Sequence, residues 1–161
     1  MDAAGAGIAQ PRLTPAHVEA GLLARYDGLS VVDAWGERSL FHNPGGVLPR
    51  GIYFATIKQR DGANDRASGL DRDGVFRVNT GVSRRTYERL LGAVPTRPDK
   101  GGVVSTGHDF QQLDVLMPHP VYAWMGWVCV LNPSVRTWHA LAPLFDEAHA
   151  LAQVKFARRV R

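Results

Sequence analysis

Val18, Leu22 and Tyr26 recur every four residues and lay one apolar stripe along a segment opened by Thr14 and Pro15 and closed by Gly28. That pattern predicts a helix over residues 15–26, with Thr14 as N-cap and Leu13 and Val18 at the spacing of a hydrophobic staple. Three strands are predicted next, over residues 30–35, 39–43 and 52–58. Gly36-Glu37 is short enough for a hairpin between the first two, and Asn43-Pro44-Gly45-Gly46 forces a turn before the third. Residues 59–74 are rich in Asp, Arg and Gly and read as an exposed polar loop. Alternation resumes over 75–79 as a fourth strand, and Ser83 then caps a second helix that stops at Gly92. A second long loop covers residues 92–110, and two such loops in one compact domain are often functional.

The most apolar stretch is 122–131, VYAWMGWVCVL without its first residue. Read as one strand, it puts Tyr122, Trp124, Gly126, Val128 and Val130 on one face and Ala123, Met125, Trp127, Cys129 and Leu131 on the other. Both sets are apolar, which predicts a central strand covered on both sides. A last helix carries Leu141, Leu144, Phe145, Ala148, Leu151, Ala152 and Phe156 on a broad apolar face. Proline inside a helix costs about 3 kcal/mol, so Pro143 is expected to open this helix after a short turn around Trp138.

Short turns between neighbouring strands imply antiparallel pairing, with helices on one face of the sheet. The expected fold is a single α+β domain over residues 13–161, a small antiparallel β-sheet backed by helices, behind a flexible arm of residues 1–12. Hydrophobic residues at 45% and charged residues at 21% fit a globular chain. No apolar run reaches the roughly 20 residues of a membrane helix, and the first residues lack the basic and apolar regions of a signal peptide. The single cysteine, Cys129, excludes an internal disulfide, so the cytoplasm is the expected compartment.

The net charge of +4 resides in the second half, where Lys155, Arg158, Arg159 and Arg161 equal the whole excess. Cations there complement a helix C-terminus, or they form a footprint for nucleic acid.

The strings LDRDGVFRVNTGVSRRTYERLLG (residues 70–92) and LDVLMPHPVYAWMGWVCVLNPS (residues 113–134) resemble an uncharacterised domain family found mainly in actinobacteria. More distantly, the strand at 75–79, the helix at 83–91, the Pro/His/Tyr segment at 118–122, the strand at 127–130 and the segment 148–155 resemble MmcQ/YjbR-like proteins. That resemblance implies a CyaY-like architecture and carries a DNA-binding label; the loops at 59–74 and 92–110 depart from it.

Two places hold candidate chemistry. His108, Asp109 and His119, with Asp114 between, supply the groups of an acid–base pair, although their spacing matches no metal motif. Arg77 and Asn79 alternate with Phe76 and Val78 and are expected on the sheet face away from the helices, joined by Thr56 or Lys58 and by His42. A loop, a partner subunit or a ligand must cover that face, and Arg77, Asn79, His119, Tyr122, His108 and Asp109 are the residues expected to bind a ligand. No phosphate loop, calcium loop or nucleophile elbow is present. The sequence therefore favours a non-catalytic binding domain for a small ligand, nucleic acid or protein, without cofactor or metal. The alternative is a small enzyme using His/Asp acid–base groups.

Overall fold

A computed structural model describes residues 11–34 and 36–161. Most of the expected N-terminal arm, and Trp35, lie outside the described residues. Pro11 and Arg12, assigned to that arm, are tied to the body: Val135 N–H donates to the Pro11 carbonyl at 3.0 Å, and Arg12 donates to the Asn132 carbonyl at 3.1 Å.

The described elements are helix α1 (Pro15–Arg25), strands β1 (Leu29–Ala34), β2 (Glu37–His42), β3 (Ile52–Lys58) and β4 (Arg77–Gly81), helix α2 (Arg84–Leu91), strands β5 (Met117–Pro118) and β6 (Trp127–Leu131), and helix α3 (Val135–Arg159). The strands form one open, antiparallel sheet in the order β1-β2-β3-β4-β6-β5. The chain is thus α+β, with one six-stranded antiparallel sheet and three helices among the described residues.

Thr14 caps α1, accepting from His17 N–H, and Ser83 caps α2 through Thr86 N–H, each at 3.2 Å. Apolar residues of all three helices join one core with the sheet: Val18 and Leu22 of α1, Tyr87 of α2, Leu144 and Phe145 of α3, against Phe54, Val78 and Val130. Each such side chain contributes roughly 1.5–3 kcal/mol on full burial. Glu147 of α3 accepts from the Ser83 N–H and the Thr86 hydroxyl, both at 2.6 Å, and pins the start of α2 to α3.

The other face of the sheet has its own smaller core of Leu70, Met117, Cys129 and Leu131, with Val75 and Phe110 against it. Residues 59–74 form the expected loop with most of its residues exposed, but part of it turns inward. They fold over the sheet and bury Ser68 and Leu70, each 1% exposed.

Two further expectations are corrected. Only Trp127–Leu131 is strand within 122–131. Ala123–Met125 makes a single helical turn, and Gly126 follows with φ +85°. An added Cβ at Gly126 would stand 2.6 Å from the Val82 carbonyl oxygen, so the chain crosses β4's end where only glycine fits. Apolar side chains on both parities do not distinguish this turn from a strand; the backbone contact to Val82 does. The second correction concerns Pro143, which lies inside a continuous α3 instead of opening it. Pro143 gives no N–H to the His139 carbonyl. The turns before it are held by the Ser134 cap and by Trp138, which packs on Phe145 at 5.2 Å between ring centroids and against Gly21.

Candidate functional site

The register places Arg77 and Asn79 of β4 opposite Lys58 and Thr56 of β3, on the sheet face away from the helices. Arg77 is 0% exposed. Its Nε donates to Asn79 Oδ1 at 2.7 Å, and its Nη1 donates to Asp65 Oδ1 at 2.9 Å and Ser68 Oγ at 2.8 Å. Its Nη2 pairs with Asp65 Oδ2 and faces His119 Nε2 at 3.2 Å. Asn79 in turn donates to Thr56 Oγ1 at 2.9 Å, and buried Lys58 pairs with Glu37 at 3.5 Å. Burial opposes the guanidinium charge, but the hydrogen bonds and charge of Asp65 outweigh it and hold Arg77 above its ordinary pKa. Asp65 and Ser68 come from the loop that follows β3, so the chain itself covers the face where a ligand was expected.

His119 is 2% exposed. Its Nδ1 accepts N–H bonds from Val121 and Tyr122, each at 3.0 Å, and its Nε2 lies 3.2 Å from Arg77 Nη2. Burial, reinforced by the charges of Arg77 and Lys58, pushes its pKa well down, so the ring is neutral. His108 Nδ1 contacts Thr106 Oγ1 at 2.9 Å, and Asp109 accepts from Gln111 N–H at 3.0 Å. No hydrogen bond or ion pair joins His108, Asp109 and His119 among the described residues. Among those residues no group of three or more His, Cys, Asp or Glu could hold a metal. Cys129 is packing: burial pushes its thiol up to about 12.

His42 is not part of the polar face. It shares the helix side with Leu40, its ring 5.0 Å from that of His149 and 5.2 Å from that of Phe156. Strict alternation from Leu40, which is core, dictates this placement.

A cleft that the sequence does not mark lies at the other end of β3. Between β2 and β3 the register shifts: Leu40 pairs Ala55 but Phe41 pairs Tyr53, leaving Phe54 as an extra residue. On its other side β3 pairs with β4 only over Ala55 to Lys58; beyond that the Thr80 hydroxyl donates to the Phe54 carbonyl at 2.8 Å. Gly81 of β4 pairs instead with Trp127 of β6. The sheet parts here over α3 and leaves a cleft of about 630 Å³. Its floor is buried and apolar, from Phe41, Ile52, Phe54, Val82, Ala148 and Ala152. Tyr53, Met125 and Leu151 stand exposed on its walls at 43%, 55% and 36%, beside half-buried Trp127.

Three cations, Arg50, Lys155 and Arg159, complete the lining, which contains no carboxylate. Arg50 is engaged with the Tyr53 hydroxyl. The acid that acts on Tyr53, Glu37, lies outside the lining and is paired with Lys58. Arg158 and Arg161 do not line the cleft, so the C-terminal basic cluster divides into two pairs. Tyr122, 46% exposed, is close enough to Tyr53 to act on its charge, and is the sequence candidate nearest this cleft's chemistry. One signal was available in the sequence. Ala148, Ala152, Lys155 and Arg159 follow one another at the three- and four-residue steps of one helix face, beside Leu151, and that face changes from apolar to basic.

Over residues 13–161 the chain matches a family described as "Family of unknown function (DUF6194)". No curated protein and no solved structure matches it.

Proposed function

The chain belongs to the DUF6194 family, and we propose that it is a non-catalytic binding domain whose small-molecule ligand sits in the cleft between β3 and α3. The observation behind this is the parted sheet: apolar side chains form a concave floor, and exposed apolar residues line the walls above it. The cleft volume falls within the roughly 300–1,000 Å³ of small-molecule sites. In this reading Arg77, Asn79 and His119 are the scaffold that fixes β4 and the turn after Pro120, Tyr122 stands toward the ligand, and His108 and Asp109 shape the second loop. The acid–base alternative has no comparable support, because its three groups share no hydrogen bond. The MmcQ/YjbR-like kinship, supported by the β4–α2 and β6–α3 segments, and a cytoplasmic setting belong to the same proposal.

The test is titration with N-phenylnaphthylamine, a neutral apolar fluorophore, against the wild type and Leu151→Asp. Saturable binding that the variant loses, with its thermal midpoint unchanged, supports the cleft as the site. Absence of saturable binding, or equal binding by both proteins, overturns it.

A further inference from the structure

We propose that the ligand of this cleft is a free amphipathic anion, with an apolar or aromatic body and one carboxylate, sulfate or phosphate group. The inference rests on the cleft being the binding site and adds the chemistry of its occupant.

The body is specified by the floor and walls. Phe41 and Phe54, 0% and 1% exposed, line the floor, while exposed Tyr53 and half-buried Trp127 line the walls. The head group is specified by charge. Lys155 and Arg159 line the cleft, are exposed, and have no hydrogen-bond or ion-pair partner among the described residues. They stand one turn apart on α3, about 6 Å along the axis, so both can reach one anion. Ala148 and Ala152 lie on the same helix face nearer its N-terminus, so the wall runs from apolar to cationic along a single helix. With no carboxylate in the lining, a cationic ligand would find no partner and a neutral one would leave both cations unused.

A nucleic acid would use the cations differently. It would draw on Arg158 and Arg161 as readily as on Lys155 and Arg159, yet only the second pair faces the apolar floor. A closed apolar floor matches the body of a small molecule and offers nothing to a chain of phosphates.

Two fluorophores that differ in one group separate these ideas: anilinonaphthalene sulfonate, which is anionic, and N-phenylnaphthylamine, which is not. Lys155→Gln/Arg159→Gln is expected to weaken the sulfonate about tenfold, the sum of two surface-strength charge contacts, and to leave the neutral probe unchanged. Unchanged affinity for the neutral probe also shows that the variant is folded. If both probes bind the wild type equally and the variant weakens neither, the anion assignment is overturned while the cleft stands. If neither probe binds, both fail. Binding confined to anionic vesicles, or to a single-stranded oligonucleotide that all four C-terminal cations support equally, also overturns the proposal in favour of a surface or polymer.

Discussion

Asp65 grips the buried guanidinium of Arg77 through both carboxylate oxygens, one of them 2.9 Å from Nη1. The carboxylate is 13% exposed and the guanidinium not at all, so a surface loop supplies the counter-charge for a cation inside the sheet. The pair fastens residues 59–74 over the second face.

Removing one partner leaves a buried, unpaired charge. Asp65→Ala should therefore cost about 3–5 kcal/mol in urea unfolding. Asp65→Leu with Arg77→Met should recover part of that loss, because the charge is removed with its partner. A loss below about 1 kcal/mol for Asp65→Ala would show that the loop is held chiefly by its other contacts, Leu70 and Ser68 among them.

His119 acts as a cap. Its Nδ1 holds two backbone N–H groups, and the oxygen of an asparagine can occupy the same position. His119→Ala is expected to lose about 1–3 kcal/mol and His119→Asn clearly less. Equal losses would mean that ring packing against Tyr122 and Trp127 matters and the cap does not.

Stability should fall on mild acidification. His42 and His119 both have folded pKa values below the roughly 6.5 of an unfolded histidine, His42 through burial and then the nearby His149. Between the folded and unfolded values the unfolded chain binds more protons, so stability is full above the unfolded pKa and is lost as pH falls through that window. The carboxylates of Asp146 and Glu147, whose pKa values are lowered, lose their contribution only in more acidic solution. Thermal midpoints measured from about pH 7 to about pH 5 should drop in the wild type and drop less in His42→Phe. A flat wild-type profile contradicts this account.

Gly126→Ala meets both a left-handed backbone and the Val82 carbonyl. The backbone alone costs about 1–2 kcal/mol, so thermal unfolding should show at least that loss. Because Met125 and Trp127 flank this residue and line the cleft, binding of N-phenylnaphthylamine should weaken as well. A substitution neutral in both measurements would show that the turn relaxes freely.

Periodicity and caps are local, and they made α1, α2 and the first three strands legible: Thr14 and Ser83 stand where a chain must satisfy free N–H groups. The two apolar faces of β6 were legible too, since alternation alone divides Val128 and Val130 from Cys129 and Leu131. What covers the second face was not. Asp65 and Ser68 read as loop residues until the buried Arg77 gives them a partner, and Leu70 until Met117, Cys129 and Leu131, distant in sequence, pack against it. Nor does local pattern reveal the parted sheet. The extra residue at Phe54 and the end of pairing at Ala55 depend on how β2 and β4 meet β3, and that is a property of register between strands. The sequence by itself determined which side chains are apolar and how they repeat. Only the tertiary structure decided which polar groups close on each other and where the apolar ones are left open, because both depend on contacts between segments that no local period encodes.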